Sequence, residues 1–309
     1  MKRIRLITFV LLALVVGSVS LKAQQRSIYS QYMFNGLSIN PAYSATDIAS
    51  NLSIHHREQW VGLDGAPRTS TLSFYTPTGF SSLSVGAMAW YDKIGVNSQF
   101  GGSISAAIKT QLAANLFLAA GLNIGADYGH SDLPSLAGTT YDPLFQRVER
   151  DINGVVGAGL ILYSSNFYLG VSAPQVQNIT LKEEKNEGRE KGMFLRHFYV
   201  SGGYLWDIDQ DFKLKPNFLV RFPEKSSMQY DINLSAYLFN RFWIGASWRS
   251  EESINVLFKY EFSPKFEFVY SYDILTGASG KVANGSHEVM LSYRFMVQRQ
   301  HVVPVRGWF

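Results

Sequence analysis

The residues that could do chemistry are few, and their spacing argues against most of it. His130-Ser131-Asp132 carries the three residue types of an acyl-transfer triad. A triad needs those groups to converge from separate places in the fold. These three are sequence neighbours in an expected outer loop. His55 and His56 are adjacent, so on a strand they face opposite sides and cannot hold one metal ion together. His287-Glu288 merely opens the last patterned run. The carboxylates are scattered, with no Asp-x-Asp-x-Asp-Gly calcium loop and no phosphate-cradling glycine loop. No catalytic, cofactor or metal site is expected, and neither is a small-molecule substrate. The charge-rich stretch KEEKNEGREKG, residues 182–192, reads as a solvated loop.

The elements that would position any site are strands. Ile254, Val256, Phe258, Tyr260 and Phe262 alternate with Asn255, Lys259 and Glu261. Phe212, Leu214, Phe218, Val220 and Phe222 lie opposite Lys213, Lys215, Asn217 and Arg221, and Val289, Leu291, Tyr293 and Phe295 opposite Glu288, Ser292 and Arg294. Side chains alternate across a strand, so each run is a ribbon with a greasy and a wet side. Fourteen such runs are expected, at 51–60, 68–77, 81–92, 98–111, 115–128, 151–163, 167–173, 196–206, 212–222, 229–239, 242–249, 253–262, 266–273 and 287–296. Many approach the roughly 9–11 residues of a tilted membrane-crossing strand. Trp60, Trp90, Tyr91, Trp206, Phe239, Phe242, Trp243, Trp248, Phe262 and Phe266 cluster near run ends, where interfacial girdles form. Gly101-Gly102 and Gly202-Gly203 read as strand kinks.

The chain opens like an export signal: Lys2, Arg3 and Arg5, then the apolar stretch 6–16, then Ala23 before Gln24. Residues 1–23 hold four of the 28 basic residues and none of the 24 acids, which leaves a mature chain of formal charge zero. That excludes the basic face a nucleic-acid binder needs. With no cysteine there is no disulfide framework. After Val16 no stretch is long and apolar enough for a transmembrane helix.

Loop lengths decide between a secreted β-sandwich and a membrane barrel. Links after the even-numbered runs are short, such as 78–80, 112–114, 164–166, 207–211, 240–241 and 263–265. The long links, 129–150, 174–195 and 274–286, all follow odd-numbered runs. Outer-membrane barrels sort their loops this way, short on the periplasmic side and long outside. The expectation is an all-β, antiparallel outer-membrane barrel of about 14 strands set in outer-membrane lipid. Its expected parts are a signal peptide at 1–23, an N-terminal segment at 24–50, the barrel at 51–296 and a periplasmic tail at 297–309.

Four landmarks carry a family likeness: SQYMFNGLSINPAYS at 30–44, REQWVGLDGAPRTSTLSFYTP at 57–77, YDKIGV at 91–96 and SAPQV at 172–176. In this order they resemble the PorP/SprF membrane proteins of type IX secretion and gliding motility. The likeness covers nearly all of the mature chain. It departs at SATD after the first landmark, at Tyr75 where many relatives have His, and in the tail after Phe295. The resemblance implies an outer-membrane component supporting export or cell-surface attachment of proteins such as adhesins, with the secretion machinery and substrate C-terminal domains as partners. The alternative reading is a passive pore or small-molecule channel.

Residues 30–44 pose a separate question, because Tyr32, Met33, Phe34 and Tyr43 want burial but fit neither strand nor helix spacing, and Pro41 forces Asn40 out of the α region. A barrel of this size has a lumen wider than its own side chains fill. The segment is therefore expected either as a plug, with Asn35 and Asn40 bonding lumen groups such as Lys213, Arg221 and Glu261, or as a periplasmic flap that contacts a partner. Lys213, Lys215, Arg221, Lys259, Glu261 and Arg294 are the expected lumen-facing charges. Arg57, Gln59, Trp60, Gly62, Gly65 and Pro67 mark the expected first outer loop, read either as a rim-sealing turn or a docking surface.

Overall fold

The structure, a computed structural model, describes residues 29–80, 82–136, 148–183, 196–224, 227–250, 252–276 and 278–295. The expected signal peptide, the tail after Phe295 and most of the 182–192 loop lie outside the described residues.

Strand elements run in chain order as β1 (Ser50–Glu58), β2 (Arg68–Pro77), β3 (Leu83–Ile94), β4 (Asn97–Ala113), β5 (Leu116–Asp132), β6 (Val148–Tyr163), β7 (Phe167–Glu183), β8 (His197–Tyr204), β9 (Trp206–Asp207), β10 (Phe212–Pro223), β11 (Gln229–Leu238), β12 (Phe242–Arg249), β13 (Ser253–Ser263), β14 (Phe266–Leu275) and β15 (Ser286–Phe295). β9 continues β8 past Leu205 along the same neighbour, β10, so fifteen elements form fourteen staves. Every stave pairs antiparallel with the next. The first and last strands close the sheet, from Ser50 opposite Phe295 to Glu58 opposite His287. Closure leaves no open edge in the hydrocarbon, which lipid would not tolerate.

Alternation sets which side chains meet lipid. On β13, Ile254, Val256 and Phe258 point outward while Asn255, Leu257 and Lys259 are buried inside. The same parity corrects the girdle expectation for two residues. Trp90 and Trp243 sit on the inward face and are buried, whereas Tyr91, Trp206, Phe239, Trp248, Phe262 and Phe266 are exposed. Gly101 serves Trp90 directly: a Cβ there would stand 2.4 Å from the indole. At Gly202 a Cβ would stand 2.7 Å from the Phe218 ring. These glycines make room for rings on neighbouring strands.

The wall is higher on one side. β4, β5 and β7 are each 17 residues long, against 8 for β12. The expected loops at 129–150 and 174–195 are therefore partly strand, and His130-Ser131-Asp132 ends β5 rather than lying in a loop. Strand pairing outlasts the apolar signal because backbone hydrogen bonds need no greasy face beyond the bilayer. Pro174 looked like a strand end. Instead the pairing slips between Ser172 and Gln175, and the Pro174 carbonyl accepts from Asn123 Nδ2 at 3.2 Å. This bulge is the SAPQV landmark.

Candidate functional site: the filled lumen

Residues 29–49 run through the barrel interior, with 3-10 turns at Gly36–Ser38 and Pro41–Ala45. Tyr32, Met33, Asn35, Leu37, Asn40, Ala42, Tyr43 and Ala45 are buried, and Phe34 is half-buried. The turns follow from the sequence. Asn40 is extended ahead of Pro41, its Oδ1 accepts from Ala42 N at 3.0 Å, and Pro41 supplies the fixed φ of a first turn.

Two apolar clusters hold the segment. On one side Leu37, Ala42, Tyr43 and Ala45 pack with Tyr75, Ala107, Ala119, Ile161 and Tyr163. On the other, Tyr32 and Met33 pack with Tyr199, Leu219, Leu257, Val269 and Met290, and Phe34 and Ile39 rest against them. Full burial of a large apolar side chain is worth about 1.5–3 kcal/mol. Two wall glycines allow close approach: a Cβ on Gly121 would stand 2.4 Å from the backbone N of Ala42, and one on Gly159 would stand 2.1 Å from the side-chain Oδ1 of Asn40. Between Leu37, Pro41 and the wall at Trp90, Asn123 and Pro174 a cavity of about 20 Å³ remains, room for about one water.

The polar partners differ from those expected. Asn35 Oδ1 accepts from Ser73 Oγ at 3.2 Å, and Asn40 Nδ2 donates to the Leu160 and Val171 carbonyls at 3.1 and 3.3 Å. These partners belong to the adjacent wall, which a short amide reaches, and are not the charges expected. The charges instead pair with one another. Lys259 Nζ lies 2.5 Å from Glu267, 3.5 Å from Glu261 and 4.9 Å from the Phe34 ring centre. Lys213 pairs with Asp207 at 2.5 Å, and Lys215 lies 5.7 Å from the Trp243 ring. Arg221 bonds Asp231 at 2.9 Å, and Arg294 bonds Asp47 of the segment at 2.5 Å.

Arg57 falls within the expected run 51–60 and not in the loop that follows it. It lies in β1 because the alternation of Ser53, His55 and Arg57 continues inward to the end of the strand. It bonds Glu288 and Asp273 at 2.5 Å each, fully buried. Gln59, Trp60, Gly62, Gly65 and Pro67 do form the first loop. Gln59 N donates to the Pro67 carbonyl, Val61 N to Gly285, and Gly95 N to Gly65. Gly62 and Gly65 have φ of +93° and +73°, a region open to glycine at little cost. The loop is thus tied to the β3–β4 turn and to the segment before β15. His55 is buried and His56 exposed, on opposite faces.

Sequence reasoning missed the wall's half of the contact. Leu219 sits between Asn217 and Arg221, Leu257 between Asn255 and Lys259, Met290 between Glu288 and Ser292, all on inward faces. An apolar residue interrupting the wet face of several strands was the available signal. It also missed Ser30 and Gln31, whose polar side chains give no hint of burial.

The profile of the type IX secretion system membrane protein PorP/SprF matches residues 21–293. No curated protein sequence matches the chain. Among solved structures, the Ralstonia pickettii toluene transporter TbuX superposes with a TM-score of 0.51 at 11% identity, covering 88% of this chain and 94% of that one. A TodX monoaromatic hydrocarbon channel mutant superposes with a TM-score of 0.50 at 10% identity, covering 85% and 94%. At such identity the likeness is one of fold, a closed outer-membrane barrel. With geometry, location and sequence profile in agreement, the chain belongs to the PorP/SprF family of type IX secretion system membrane proteins.

Proposed function

We propose that this protein is a closed, non-enzymatic outer-membrane barrel that supports export or cell-surface attachment of type IX substrates such as adhesins, with residues 29–49 as its plug. The observation that carries this reading is the filled lumen. The segment packs against two sides of the inner wall, and most of its side chains are buried there. A barrel closed in this way contributes surface and partner contacts rather than a free aqueous path. The first loop, held in place by Gly285 and Gly95, offers an ordered outer rim for such contacts.

Cells lacking the chain should lose surface display of type IX clients, and the intact chain should restore it. Restoration by the plug-deleted barrel at full level would remove the plug from the mechanism. Unchanged display without the chain would remove the export role. The passive-pore reading draws on the barrel's fold likeness to hydrocarbon channels. It requires conduction through the lumen that residues 29–49 occupy.

A further inference from the structure

We infer that the chain enters the lumen from the cell-surface side of the membrane, anchored there through Ser30 and Gln31, and crosses the lumen downward before β1 begins. This rests on the barrel's orientation and not on the type IX reading.

The two ends of residues 29–49 sit at opposite ends of the barrel. The lower end is fixed by Asp47, which accepts from Arg294 Nη2 at 2.5 Å and from Tyr75 Oη at 3.2 Å, and by the start of β1 at Ser50 opposite Phe295. Arg294 and Tyr75 stand near the short-turn ends of their strands, which face the periplasm. The upper end is fixed elsewhere. Glu288 accepts the backbone N–H of Ser30 at 2.8 Å and of Gln31 at 2.7 Å. Ser30 Oγ donates to Asp273 at 2.9 Å and accepts from Arg57 at 3.0 Å and Arg249 at 3.3 Å. Gln31 Nε2 donates to the Glu288 carbonyl at 2.9 Å and to Ser271 Oγ at 3.1 Å. Glu288, Asp273, Arg57 and Arg249 each lie within three residues of the outer ends of β15, β14, β1 and β12.

The expected cleavage after Ala23 would leave five residues ahead of Tyr29. Five extended residues reach at most about 18 Å. The apolar band of an outer-membrane barrel is about 25 Å tall. An arm of that length starting from the outer end would be too short to return to the periplasm, and the path down is taken by its own continuation. The plug is thus tied covalently below and by buried ion pairs above.

The chain has no cysteine, so single cysteines can be placed on a clean background. Ser27→Cys, Asp64→Cys in the first outer loop and Asp209→Cys in a short turn would be treated with a membrane-impermeant maleimide. Heat-modifiable migration would verify that each variant is assembled. The expected result is labelling of Ser27→Cys in intact cells at a level near that of Asp64→Cys, while Asp209→Cys labels only after permeabilisation. If Ser27→Cys labels only after permeabilisation, or only after denaturation, the surface location is overturned. Reversed labelling of the two controls would show the barrel to be upside down and overturn it as well.

Discussion

The Cα of Gly121 and the backbone of Ala42 approach so closely that no side chain fits between them; a Cβ on Gly121 would stand 2.4 Å from the Ala42 nitrogen. Gly121 is on β5 and Ala42 on the second 3-10 turn of the lumen segment, so wall and plug meet backbone to backbone. Backbone atoms cannot swing aside as a long side chain can. Gly121→Val should therefore lift the turn from the wall while the strands still pair. Hydrogen exchange across residues 37–45 should rise severalfold in Gly121→Val. It should stay unchanged in the control Gly102→Ala, where the nearest atom to the added Cβ is 3.4 Å away. Equal protection in both would mean that the contact does not hold the plug.

Phe258 and Lys259 separate the two faces of one strand. Phe258 points to lipid, and Lys259 is buried inside beside Glu267. Arginine on the lipid face near the midplane costs about 2–4 kcal/mol. Phe258→Arg should cut the yield of heat-modifiable barrel well below that of Lys259→Arg. Similar yields would reverse the face assignment.

The outer anchor is a buried ion-pair network, and removing one partner of such a pair leaves an uncompensated charge at a cost of about 3–5 kcal/mol. Glu288→Ala leaves Arg57 with Asp273 alone, takes away the partner of His55 Nε2 and frees the Ser30 and Gln31 N–H groups. It should destabilise the barrel against denaturant by an amount of that order, far more than Asp64→Ala on the exposed loop. Comparable midpoints for the two variants would show that the anchor carries no stability.

The fourteen staves were legible because each presents a lipid-facing row at every second position, as Ile254, Val256 and Phe258 do. Their outer ends were not, because β5 runs on through Gly129-His130-Ser131-Asp132 without an apolar residue to mark it, and β7 runs on past Pro174, which reads as a stop. The lumen segment was legible as something that must be buried, since Tyr32, Met33 and Phe34 fit neither period. Its binding partners were hidden by the rule that reads inward faces as wet. Leu219, Leu257 and Met290 break that rule on strands far apart in sequence, and only closure of the barrel brings them round Tyr32 and Met33. Arg57 lies within the expected run 51–60, but its partners were hidden in the same way, because Glu288 and Asp273 arrive from β15 and β14 to neutralise it.

The central claim is that residues 29–49 close the barrel, and single-channel conductance in planar bilayers tests it most directly. The intact protein should show little or no conductance. The same barrel lacking residues 30–44 should assemble, because every strand is retained, and should show stable open channels. Phe34→Ala, which removes a ring packed against Trp243 at 6.2 Å between centres, should give brief openings in between. An intact protein that conducts as freely as the deletion variant would contradict the account.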